Sequence, residues 1–121
     1  MKEKIKIYTD ASVKHNSKIL TKIGFIVEQN NRTIFQKIEC SLENNINKAE
    51  FLAVKKALSF VDKYSYEGFM LFTDSMYVVN EIEKDSQCQQ TLERLKGKIS
   101  WVKAHSKNKG NNKIDKLLKH V

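Results

Sequence analysis

Residues 69–83 read Phe-Met-Leu-Phe-Thr-Asp-Ser-Met-Tyr-Val-Val-Asn-Glu-Ile-Glu. The first five form a mostly apolar run of strand length, the pattern of a strand covered on both faces, and 75–83 carries the spacing of a helix. A covered strand that runs straight into a helix belongs to a sheet with crossovers, and crossovers favour parallel pairing. Parallel strands collect functional groups at their carboxyl ends, which is where Asp74 stands.

Upstream, residues 4–10 (Lys-Ile-Lys-Ile-Tyr-Thr-Asp) alternate with period two, so a strand is predicted that ends at Asp10 and opens a loop over 11–22. Residues 24–28 and 33–40 read as two further strands joined by a turn at Asn30-Asn31, which makes the opening an antiparallel meander. A helix follows, with Asn47 as its cap, Glu50 at its third position, and an apolar face of Ala53, Val54, Ala57, Phe60 and Val61. Downstream, Cys88, Leu92 and Leu95 mark a short helix ended by Gly97. Residues 98–103 form a last strand, and Ile114, Leu117, Leu118 and Val121 form the stripe of a closing amphipathic helix. The order predicts an α/β fold: a mixed sheet, meander plus parallel strands, with helices on its faces.

The 121 residues predict a single domain over 1–121, and no proline, linker or repeat marks an internal boundary. A composition that is 40% hydrophobic and 30% charged excludes a disordered tail or a fibre. No apolar run approaches the roughly 18 residues that a membrane span needs. Met1 is followed by Lys-Glu-Lys without a signal-peptide core, so a soluble, cytoplasmic protein with no membrane partner is expected. Cys40 and Cys88 have neither CxxC spacing nor a framework's count, and both are expected as buried thiols. The formal net charge is +8, and the excess sits at the two ends: residues 1–22 hold six Lys against two acids, and residues 101–121 hold six Lys against one. Such a surface concentrates polyanions and lets ammonium groups replace condensed counterions on phosphates, so nucleic acid is the first partner to consider.

Four carboxylates stand out by position. Asp10 and Asp74 each end a strand; Asp10 reads alternatively as a turn residue and Asp74 as the N-cap of the next helix. Glu50 shares the face of Val54, Ala57 and Val61 that its helix must bury, and reads alternatively as half of a capping box with Asn47. Asp115, beside the last apolar stripe, reads alternatively as an exposed i,i+4 partner of Lys119. Carboxylates within about 4 Å of one another repel by roughly 4 kcal/mol per pair at an effective dielectric near 20, so a cluster of them calls for a cation. Hard oxygen donors without thiolates or paired histidines select Mg²⁺ or Mn²⁺ over zinc. Two such ions about 3.5–4 Å apart can ionise an attacking water and neutralise the leaving oxygen in phosphodiester hydrolysis.

The segments Tyr-Thr-Asp10-Ala-Ser, Asn47-Lys-Ala-Glu50-Phe-Leu-Ala-Val, Phe-Thr-Asp74-Ser-Met-Tyr-Val-Val and Trp101-Val-Lys-Ala-His105, closing on Gly110-Asn-Asn-Lys-Ile-Asp115, resemble type 1 ribonuclease H in order and spacing across nearly the whole chain. The resemblance implies a ribonuclease H-like mixed five-stranded sheet. It also implies a metal-dependent endoribonuclease that cuts the RNA strand of RNA/DNA hybrids, and a monomer is expected. Asp10, Glu50, Asp74 and Asp115 match the family's four metal-binding carboxylates, and His105 its mobile-loop histidine, implicated in proton transfer or product release. Ser12, Asn16 and Asn47 match substrate-binding positions. An Asn amide both donates to and accepts from the ribose 2′-hydroxyl that distinguishes RNA from DNA. Read without the resemblance, His105 is an ordinary surface histidine in a basic loop and Asn47 only a cap.

The chain departs from the family pattern in four ways. Ala11 replaces the usual glycine, residues 13–23 lack the family's glycines, Met76 stands where some members place a polar substrate contact, and only 26 residues separate Asp74 from Trp101. That interval holds two short helices and no long basic protrusion, which leaves hybrid affinity either lower or supplied by the terminal lysines. Two other classes compete with the nuclease reading: a non-catalytic hybrid- or double-stranded-RNA-binding module of the same fold, and a related nuclease acting on DNA.

Overall fold

A computed structural model describes residues 5–15, 19–103, 113–114 and 116–118. Eight elements follow in order: β1 (Ile5–His15), β2 (Ile19–Gln29), β3 (Arg32–Ser41), α1 (Ile46–Lys63), β4 (Met70–Thr73), α2 (Met76–Lys84), α3 (Ser86–Leu95) and β5 (Lys98–Trp101). Lys113, Ile114 and Lys116 to Leu118 are helical, as the closing apolar stripe predicts. The strands form one five-stranded sheet ordered β3-β2-β1-β4-β5. The β1–β2 and β2–β3 pairs are antiparallel, and the β1–β4 and β4–β5 pairs are parallel, so the mixed sheet read from the sequence is the one observed.

The meander is longer than its alternation suggested. Residues expected as a loop after Asp10 continue as strand, with Ala11 opposite Ile23 and Val13 opposite Thr21. Neither glycine nor proline interrupts that stretch, and each added rung satisfies backbone groups, so pairing runs on. The Asn30-Asn31 turn holds φ values of 57° and 59°, the doubly left-handed geometry of a two-residue hairpin that asparagine tolerates well.

Period-two alternation sorts the sheet onto two cores. Ile5, Ile7, Phe25, Val27 and Leu71 pack beneath α1, α2 and α3, against Val54, Val61, Val78, Ile82 and Leu95. On the opposite face Tyr8 and Ile26 bury against Ile114 and Leu118, with Phe72 stacked on Tyr8 at 5.1 Å between ring centroids. Two glycines serve close approach. A Cβ on Gly24, the residue opposite Asp10, would strike Ile38 Cδ1 and come within 2.9 Å of the Lys37 carbonyl oxygen. One on Gly97 would enter the Phe69 ring. The expected role of Gly97 as helix terminator belongs instead to Lys96, which adopts the left-handed conformation at φ 55°.

The capping residues also move. Asn45, not Asn47, caps α1: its side chain accepts from Lys48 N–H at 3.2 Å, and its carbonyl accepts from Ala49 N–H at 2.9 Å. Ser75, not Asp74, caps α2 by accepting from Val78 N–H at 3.2 Å. Cys88 is buried as expected, whereas Cys40 is exposed, on β3 at the sheet's edge, which has no strand beyond it among the described residues.

Candidate metal and active site

Asp10 lies inside β1 and not at its end, paired with Gly24 across the antiparallel ladder. On its other side the parallel ladder to β4 stops at Tyr8–Phe72, two residues earlier. Asp74 stands just past the end of β4, at the joint with α2, also two residues beyond that last pair. Both carboxylates therefore stand where adjacent parallel strands part, the place in such sheets that opens toward ligand.

Glu50 arrives from the other layer. With the cap at Asn45, Glu50 is too deep in the helix for the capping box, and it lies on the buried face with Ala49, Ala53, Val54 and Ala57. Small Ala49 and Ala53 pack against Ala11 and Ile23, which brings this end of α1 down onto β1 and β2. The result is convergence: one carboxylate oxygen from each of Asp10, Glu50 and Asp74 lies within 4.8 Å of the other two. Asp10 and Glu50 are only 5% and 7% exposed, so their charges are poorly screened by water.

The electrostatics express that crowding. Burial first, then the charges of Asp10 and Asp74, push the Glu50 carboxyl up to about 10, and a hydrogen bond shared with Asp10 acts in the same direction. The Ala11 backbone opposes the shift weakly and also donates its N–H to Asp10 Oδ1 at 2.9 Å. Glu50 Oε2 is buried and accepts no hydrogen bond among the described residues. A buried acceptor without a donor, beside two more carboxylates, suits a divalent cation; the donor set is all oxygen, as hard ions prefer.

Of the residues expected at a site, the structure brings together Asp10, Glu50 and Asp74. Ser12 is half-buried on β1 two residues past Asp10, and Asn47 is exposed in the first turn of α1, three residues ahead of Glu50. Asn16, His105 and Asp115 lie outside the described residues. The sequence reading assigned no role to Trp101, whose indole N–H donates to the Asp74 carbonyl at 3.2 Å. Its place in the motif ahead of His105 was the available signal.

Comparison with known proteins agrees with this arrangement. The family model described as RNase H matches residues 2–121. Among solved structures, RNase H1 of the halophilic archaeon Halobacterium salinarum NRC-1 is 14% identical with a TM-score of 0.68, over 98% of this chain and 99% of that one. The RNase H domain of prototype foamy virus is 18% identical with a TM-score of 0.74, over 99% of this chain and 94% of that one. The compost-derived LC11-RNase H1, solved in complex with an RNA/DNA hybrid, is 17% identical with a TM-score of 0.65, over 95% of this chain and 99% of that one. At such identities the likeness establishes the shared fold.

Proposed function

The chain belongs to the RNase H family, and from that premise we propose that it is a Mg²⁺-dependent endonuclease hydrolysing the RNA strand of RNA/DNA hybrids by a two-metal mechanism. The observation that carries the proposal is the meeting of one carboxylate oxygen each from Asp10, Glu50 and Asp74 within 4.8 Å, with a buried Glu50 oxygen left without a donor among the described residues. A module that only bound phosphates would gain nothing from three carboxylates in one place, since they repel its ligand. The LC11-RNase H1 structure holding a hybrid supports hybrid as the substrate class.

In this reading Asp10 and Asp74 anchor the ions, and Glu50 and Asp115 complete their shells. Mg²⁺, with Mn²⁺ as a substitute, would supply Lewis acidity there, which activates water for attack and offsets charge on a leaving oxygen. The chain's own residues do the rest. The three carboxylates, carried on β1, α1 and the β4–α2 joint, would place the metal ions, and through them the reacting phosphate, at one end of the sheet. Ser12, Asn16 and Asn47 bind the substrate, with the asparagine amides facing ribose hydroxyls. His105, whose ordinary pKa lies near 6.5, moves a proton or assists product release. Products carry 3′-hydroxyl and 5′-phosphate ends. The domain over 1–121 acts as a cytoplasmic monomer, and no helix among the described residues is long and apolar enough to cross a membrane.

Labelled RNA/DNA hybrid, double-stranded RNA and double-stranded DNA, each incubated with Mg²⁺, Mn²⁺ or chelator, test the proposal. Cleavage of the hybrid's RNA strand alone, abolished by chelator and by Asp10→Asn, is the expected result. Full activity in Asp10→Asn refutes the assignment. Binding without cleavage favours the non-catalytic reading, and cutting of DNA favours the third.

A further inference from the structure

Trp101 ends β5 and is the chain's single tryptophan. Where it touches β4, the parallel ladder is running out. Thr73 pairs with Trp101, and Val102 N–H donates to the Thr73 carbonyl at 2.8 Å. The next carbonyl along, that of Asp74, takes the indole N–H at 3.2 Å. A side chain thus supplies one more rung beyond the last backbone rung. On the far side, Ser75 N–H donates to Thr73 Oγ1 at 3.2 Å, and Ser75 itself caps α2. Asp74 therefore rides on a two-residue joint between β4 and α2, with its peptide plane set by the tryptophan.

The joint needs such a restraint. An oxygen of the Asp74 carboxylate lies within 4.8 Å of one from Asp10 and one from Glu50, a crowding of acids that favours their separation unless a cation or a proton lies between them. Trp101 is also 46% exposed, so much of its surface does not fill core, and the polar edge of the indole makes the directional contact.

We propose that Trp101 is a positioning residue: by gripping the Asp74 carbonyl it fixes the third carboxylate and so sets the affinity of the Asp10, Glu50 and Asp74 group for a divalent cation. This rests on the metal-dependent reading of the site. Because the same indole is the chain's single tryptophan, its N–H resonance should report occupancy of the site directly.

Two measurements on the full chain test it, neither of them catalysis. Calorimetric titration with Mg²⁺, and separately with Mn²⁺, should show binding about fivefold weaker in Trp101→Phe than in wild type, the effect of losing one ordinary hydrogen bond. In ¹H–¹⁵N spectra of the wild type, the indole cross-peak should move on Mg²⁺ addition with the midpoint found by calorimetry, and should stay still in Asp10→Asn. Wild-type metal affinity in a folded Trp101→Phe, or a stationary cross-peak in a protein that binds Mg²⁺, overturns the role of Trp101 and leaves the metal site standing. A wild type that takes up neither ion overturns both. The cross-peak experiment decides the matter even if the phenylalanine variant fails to fold.

Discussion

Glu50 occupies a face of α1 otherwise given to Ala49, Ala53, Val54 and Ala57, and it shares its pocket with two more acids. In the metal-free protein that crowding costs stability, and removing one charge relieves it. Asp10→Asn is accordingly expected to raise the metal-free melting temperature by about 3–6 °C, the equivalent of roughly 1 kcal/mol in a chain of this size. Calorimetry without divalent ions gives the answer, and a lowered Tm would speak against shared repulsion. The two cysteines differ as sharply. Burial, followed by the charge of Asp85, pushes the Cys88 thiol from its ordinary 9.0 up to about 11, while Cys40 is exposed. Iodoacetamide at pH 8 should therefore label Cys40 well before Cys88, read by mass spectrometry. A thiol whose pKa is higher folded than unfolded favours the native state below about pH 9, and that contribution fades as pH climbs toward 11. Cys88→Ala should flatten the alkaline loss across that window. Burial of Cys88 could be read from its apolar helical spacing, but exposure of Cys40 could not. Alternation identifies which side chains share a face, not which strand ends up at an edge.

Among the elements, α1 shows where local signals ran out. The run Asn44-Asn45-Ile46-Asn47 offers three asparagines, each able to cap a helix. Tertiary packing selects Asn45, because starting there turns Glu50 inward among Ala49, Ala53 and Val54. Asn45→Ala should cost about 1 kcal/mol in urea denaturation, with Asn47→Ala close to neutral for stability; the reverse order would contradict the observed cap. Gly24 offers a second check. Ile38 and the Lys37 carbonyl stand where its Cβ would go, so Gly24→Ala should destabilise by about 1–3 kcal/mol and displace the strand opposite Asp10. Strand existence and order were legible from alternation and from the covered run at 69–73. The lengths of β1 and β2 were not, since polar residues such as Ser12, Lys14 and Lys22 pair as readily on an open sheet as they loop.

Across the molecule, the three acids could be picked out in the sequence only as a set. Singly, each had an ordinary explanation: a turn, a capping box, an N-cap. The structure removes all three, because β1 runs on past Asp10, Asn45 caps α1 and Ser75 caps α2. Divalent ion binding confined to the native state stabilises it by about 2.7 kcal/mol at a hundredfold excess over Kd. Millimolar Mg²⁺ should thus raise the Tm of the wild type and not that of Asp10→Asn; equal shifts in both would mean binding elsewhere.

The parallel pairing of β1 with β4 joins residues more than sixty positions apart, as Tyr8 and Phe72 do, whereas the hairpins of β1, β2 and β3 close locally. Distant contacts carry the larger loop-closure entropy, so hairpins can assemble before the seam that unites Asp10 with Asp74. An ion that needs both sides of that seam has nothing to hold during the early climb. Stopped-flow mixing should find Mg²⁺ acting as a latch: escape from the native state slows while the refolding rate barely changes.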